Sequence, residues 1–142
     1  MAEIENKVQL QCELKHKGYY GDGTIHEYDL KLYVKNIGQK IVREIIFDVR
    51  MPIAPIRNIE NLSEVRKIDS ASGYCNIRYH FNGSDLMLLN GDEINFPLFS
   101  YFMDNKLYWG RQLDQMVVSY QIVVPDEFQF RNDIEFKDLH EY

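Results

Sequence analysis

Apolar and polar residues alternate along most of this chain. Between Asp29 and Met51, Leu30, Leu32 and Val34 share one parity and Lys31, Tyr33 and Lys35 the other. Asn36-Ile37-Gly38-Gln39 interrupts the pattern with turn-forming residues, after which Ile45, Phe47, Val49 and Met51 alternate with Glu44, Ile46, Asp48 and Arg50. A period of two residues marks a strand with one buried face. The stretch therefore reads as an antiparallel hairpin from the wall of a sandwich.

The same reasoning runs along the chain. Val8, Leu10, Cys12 and Leu14 face inward on a strand over 7–15, and the glycine-rich 16–24 is a loop. Strands follow over 25–35 and 42–51. Pro52 and Pro55 then remove ladder donors and start a crossing loop or edge segment, with a helical turn near 58–64. A fourth strand over 65–68 precedes a turn at 69–73. Tyr74–Phe81 is a strand, and Asn82-Gly83 turns the chain. Short strands follow over 86–89 and 93–99, the latter with Ile94, Phe96 and Leu98 inward. Pro97 places that strand at an edge or a bulge. The aromatic stretch Ser100–Leu113 is irregular. Residues 114–124 form a strand with Val118, Tyr120, Ile122 and Val124 on one face, and 126–142 is an appended strand or arm. The sum is a single all-β domain over 1–142, an antiparallel sandwich of seven to nine strands.

Composition sharpens this. The 142 residues are 45% hydrophobic and include 10 Tyr and 8 Phe, which suit half-buried pleated surfaces. A net charge of −6 argues against a nucleic-acid partner and against an anionic membrane surface. The opening MAEIENKVQLQ lacks a basic start followed by an apolar stretch, and no run approaches the roughly 18 apolar residues a span needs. The expectation is a soluble, cytoplasmic protein.

Leu32-Tyr33-Val34-Lys35-Asn36-Ile37-Gly38 followed by Ile45-Ile46-Phe47-Asp48-Val49 resembles the Asn-x-Gly hairpin of immunoglobulin-like domains, as in adaptin-ear and CARDB-type modules. Leu89-Asn90-Gly91-Asp92-Glu93-Ile94 resembles their later Leu-x-Pro-Gly-Glu turn, with Asn90 in place of proline. The matches cover about a third of the chain and carry turns and core positions, so they imply an immunoglobulin-like fold. Such modules bind proteins, or sugars in some bacterial relatives; none of their binding residues maps here. Antibody domains join their sheets with a disulfide. Cys12 and Cys75 both have core parity and read more simply as small buried residues.

Function has to come from surface candidates. Tyr101, Phe102, Tyr108, Trp109 and Arg111 crowd the aromatic stretch. Trp, Tyr and Arg anchor interfaces when exposed; the same rings would otherwise close one end of the sandwich. Tyr19 and Tyr20 form a secondary loop, where Asp22 and Glu27 supply too few oxygens for calcium. His16, His26, His80 and His140 lack metal-ligand spacing, and no nucleophile, phosphate-loop or metalloprotease motif is present. Lys31, Lys35, Lys40, Arg43 and Arg50 concentrate positive charge on the 29–51 hairpin. These features point to a non-catalytic protein-interaction module that needs no cofactor or metal and presents aromatic loops and a free sheet edge. Self-association through that edge is included. A carbohydrate-binding sandwich with a Tyr108/Trp109 stacking platform is the second reading, and a small phage or mobile-element inhibitor or accessory protein the third.

Overall fold

The structure, a computed structural model, describes residues 7–22, 25–57, 59–84, 86–104, 113 and 115–139, with side chains described outside 17–25 and 103–104. Eight strands run in chain order: β1 (Leu10–Asp22), β2 (Ile25–Asn36), β3 (Ile45–Pro52), β4 (Val65–Asp69), β5 (Tyr74–Phe81), β6 (Glu93–Asp104), β7 (Val117–Val124) and β8 (Phe128–Glu135). Short 3-10 turns lie at Ile59–Asn61 and Phe136–Leu139. All pairings are antiparallel. One sheet has the order β1-β2-β6, the other β4-β5-β3-β7-β8. The fold is an all-β sandwich.

The alternation seen in the sequence builds the inner faces. Leu30, Leu32 and Val34 from β2 are buried with Ile45, Phe47, Val49 and Met51 from β3, Cys75, Ile77 and Tyr79 from β5, and Val118, Tyr120, Ile122 and Val124 from β7. Phe81 stacks on Phe96 at 3.9 Å between centroids, joining the two sheets.

The stretch 29–51 is not a hairpin. β2 and β3 each show the expected parity, yet they belong to different sheets, and 37–44 carries the chain across. Periodicity reports which face is buried but not which strand lies alongside. The true hairpin is β1–β2. Its arms run through the glycine-rich segment expected as a loop, because β2 supplies hydrogen-bonding partners as far as Asp22↔Ile25, with a bulge between Lys17 and Tyr19.

Pro97 lies on an edge strand and at a bulge. Asp29 opposes Ser100 but Lys31 opposes Pro97, so β6 carries an extra residue there. The insertion flips the parity, which is why Phe99 and Tyr101 are buried in place of Leu98. It also keeps the aromatic stretch in the strand as far as Asp104. The segment expected as a strand over 86–89 makes only the single bridge Val42↔Leu88. The C-terminal segment is a strand, β8, paired with β7 along its whole length.

The crossing between sheets is held by Asn36, which is 0% exposed. Its Nδ2 donates to the carbonyls of Lys40 (2.9 Å) and Leu88 (2.8 Å), and its Oδ1 accepts from the Gly38 N–H (3.0 Å). Its backbone N–H donates to Asp92 O and its carbonyl accepts from Gly91 N. Asn90 Nδ2 closes the joint by donating to Gly38 O at 2.7 Å. A Cβ at Gly38 would stand 2.5 Å from Lys7 O and 2.7 Å from Gln9 N, so only glycine fits there. Asn36→Ala would remove three hydrogen bonds and leave the Lys40 carbonyl without its donor, while Gly38 N–H keeps Gln9 O and Leu88 O keeps Val42 N–H. It is expected to lower unfolding free energy by about 1–3 kcal/mol, read as a shift of the urea midpoint with unchanged slope. Asn36→Asp should cost at least as much, since a carboxylate cannot donate to two carbonyls.

Candidate functional site

Residues that alternate with the core on β3, β5 and β7 form the outer face of the five-stranded sheet. Across it, Lys67, Asn76, Arg50, Ser119 and Asp133 are register neighbours on successive strands, and so are Arg78, Asp48, Gln121 and Arg131. Arg66 sits beside them at the β4 bulge, and with Arg50, Asp48, Arg78, Gln121 and Arg131 it lines an open depression of about 520 Å³. Core positions are filled by apolar residues on the other parity, so this polar face follows from the same alternation that builds the interior.

Its electrostatics are one-sided. Asp48 bonds Arg78 in a fork, with Nε at 2.6 Å and Nη2 at 3.1 Å. This pairing raises the Arg78 pKa above its usual value. It consumes the carboxylate at the centre of the face. Among the described residues, no acidic side chain comes within ion-pair distance of Arg50, Arg66 or Arg131. Arg50 lies flat over the Tyr74 ring at 3.8 Å, which holds its planar donors in place. Asp69 is spent on the turn, accepting from Ala71 and Ser72, with its pKa lowered by the Ser72 bonds. The result is three guanidinium groups without an ion pair among the described residues, on a chain that is acidic overall.

The aromatic candidates divide. Tyr101 is 0% exposed, stacked on Tyr28 and edge-on to Phe136, both at 5.3 Å, so it is a core ring. Phe102 is half-buried under the Arg57 guanidinium, 3.8 Å away, and its N–H donates to Pro55 O, tying the proline loop to the β6 edge. Tyr108, Trp109 and Arg111 lie outside the described residues. Tyr19 and Tyr20 lie in β1 opposite Tyr28 and Glu27. The basic cluster expected on 29–51 is split, since Lys31 and Lys35 belong to β2 and Arg50 to β3 on the other sheet. Lys40 is paired with Glu127. Sequence reading missed Arg66, Arg78 and Arg131 as site residues. Their outward parity was available; their neighbours across the sheet were not.

The remaining chemistry is structural. Cys12 and Cys75 are free thiols, and Cys75 Sγ donates to Met51 O at 3.4 Å. His80 bonds Glu44 at 2.6 Å on the surface. Among the described residues, no three His, Cys, Asp or Glu side chains converge as a metal-ligand set, and no helix is long and apolar enough to cross a membrane. No protein-family model matches the chain, and no curated protein matches its sequence.

Burial pushes the Cys12 thiol from 9.0 up to about 12 and the Cys75 thiol up to about 11. The native state keeps both protonated where the unfolded chain ionises them. Their contribution to stability is therefore full below about pH 9 and is lost as pH rises toward 11–12. Unfolding midpoints measured from neutral pH to pH 11 should fall above pH 9, less steeply in a Cys12→Ala/Cys75→Ala variant. A thiol reagent at pH 8 should label both cysteines in urea and neither in the native protein.

Proposed function

We propose that this protein is a non-catalytic interaction module that takes an acidic segment of a protein partner across the outer face of its five-stranded sheet. One observation carries the reading: Arg50, Arg66 and Arg131 surround a depression with no ion-pair partner among the described residues, on a chain of net charge −6. Arginine forks suit carboxylates, and rigidly held guanidinium groups lose little freedom on binding. Tyr74, under Arg50, lines a smaller pocket with Lys67 and Asn76. Surplus negative charge elsewhere disfavours polyanions that would wrap the whole molecule, and favours a short acidic segment confined to this face.

The sandwich itself is read as immunoglobulin-like. What supports this is that the two motif loops, Asn36-Ile37-Gly38 and Asn90-Gly91, lie against each other and exchange hydrogen bonds. Two free thiols suit a reducing compartment such as the cytoplasm. No observation favours carbohydrate, whose platform rested on Tyr108 and Trp109.

The test uses a fluorescent peptide rich in Glu and Asp, with its Gln/Asn counterpart as control. The acidic peptide is expected to bind, more weakly as salt rises, and the neutral one not. Replacing Arg50, Arg66 and Arg131 together by Ala should weaken binding by about tenfold or more, while Lys31→Ala on the other sheet should not. Equal binding of both peptides, or full affinity in the arginine variant, would overturn the reading.

A further inference from the structure

The four sheet edges are not equally protected. β6 carries Pro97, a bulge, and the Pro55 carbonyl bonded to Phe102. β4 has five residues and a bulge. β1 has a bulge and the charged pair Glu13–Lys15. β8 has eight residues, no proline and no lysine, and it pairs with β7 without interruption. Among the described residues, no strand lies on its far side. Such an edge is a template for another strand.

Which backbone groups it offers follows from parity. The N–H of Phe136 donates to Met116 O, continuing the β7–β8 ladder. Alternation then turns the backbone groups of Phe128, Phe130, Asn132 and Ile134 toward β7, and those of Gln129, Arg131, Asp133 and Glu135 toward the open edge. The side chains divide in the same way. Asn132 Nδ2 donates to Tyr120 Oη on the core side, while Arg131 lines the outer depression. Phe130, on the core side, is 36% exposed, because the three-stranded sheet does not reach over β8.

We infer that β8 pairs antiparallel with β8 of a second copy of this chain, about a twofold axis at Asn132, joining two five-stranded sheets edge to edge. The register is chosen by the sequence. With Asn132 opposite Asn132, Arg131 faces the other copy's Asp133 and Gln129 faces Glu135, each twice by symmetry, and all four carry edge-facing backbone groups. On the core side Phe130 meets Ile134, covering apolar surface that one chain leaves exposed. Moving the axis one residue toward the N-terminus opposes Arg131 to Arg131. Moving it one residue toward the C-terminus opposes Asp133 to Asp133, and one further step sets Asp133 against Glu135. Like charges directly opposite are destabilising, so of the registers centred on residues 131 to 134 the Asn132 one satisfies both faces. This inference rests on the β8 edge and shares one residue with the acidic-partner reading, since the pairing engages Arg131 and leaves Arg50 and Arg66 to the outer face.

The full chain is expected to sediment as a concentration-dependent dimer. Asp133→Arg alone and Arg131→Asp alone should each weaken association about tenfold, because symmetry repeats every change. Arg131→Asp/Asp133→Arg should restore it. Circular dichroism would confirm that each variant folds. Independently, Asn132→Cys places two thiols at a non-hydrogen-bonded antiparallel pair, where a disulfide fits, and should give a covalent dimer on mild oxidation; Gln129→Cys, opposite Glu135, should not. The cysteine variants leave the arginine face intact, so their result is independent of peptide binding. A monomer at every concentration, failure of the double charge swap to rescue, or equal cross-linking at both positions would overturn the inference.

Discussion

Everything in this sandwich depends on the chain crossing from one sheet to the other without leaving buried backbone groups unpaired. Asn36 meets that constraint with one side chain. An amide can donate twice and accept at once, and here all three bonds go to backbone groups of the crossing and of the Leu88 loop. Inside a protein an unpaired carbonyl or N–H costs more than a made bond returns. The joint therefore works only as a complete set. Gly38 belongs to it for a steric reason: its missing side chain lets the Lys7–Gln9 backbone approach closely enough to accept from Ile37 and Gly38. Two short motifs far apart in the sequence thus form one mechanical unit, and the relative placement of the sheets follows from it.

Once the sheets are joined, their unequal widths decide what the surface offers. Three strands lie over five. At the β5–β6 side, Phe81 and Phe96 stack across the gap. At the β8 side Phe130 stays partly bare, and Phe136 and Leu139 turn inward just beyond the strand to close the core. The chain protects β6 with proline, a bulge and a covering loop, the usual defences of an edge. Those defences are missing from β8, where one basic residue, Arg131, is followed by the acidic Asp133 and Glu135 on the same face. An unprotected edge with a self-complementary pattern is what the proposed pairing with a second copy would cover.

Charge is arranged with similar economy. Asp48 lies opposite Arg78 at the centre of the outer face and holds it in a fork. That bond removes the acid nearest the depression and leaves the surrounding arginines uncompensated. The same pleat that puts Phe47 and Val49 in the core puts Asp48 and Arg50 on the outer face, so the core and the charged depression are two sides of one strand.

The amino-acid sequence by itself determined the all-β class, the buried parity of nearly every strand, the edge position of Pro97 and the turns at Asn82-Gly83 and Asn90-Gly91. These are local consequences of side-chain alternation and backbone restriction, visible within a few residues. Tertiary structure alone decided which strands are neighbours. Period two is the same whether β3 pairs with β2 or with β5 and β7, so the stretch 29–51 looked like a hairpin and is a crossing between sheets. The bulge at Pro97 was signalled by the proline, but its effect, turning Phe99 and Tyr101 inward, depends on what β2 places opposite. The arginine face was scattered over Arg50, Arg66, Arg78 and Arg131, residues spread over more than half the chain. Nothing local links them; only strand order brings them side by side, because cross-strand proximity is set by pairing and not by distance along the backbone.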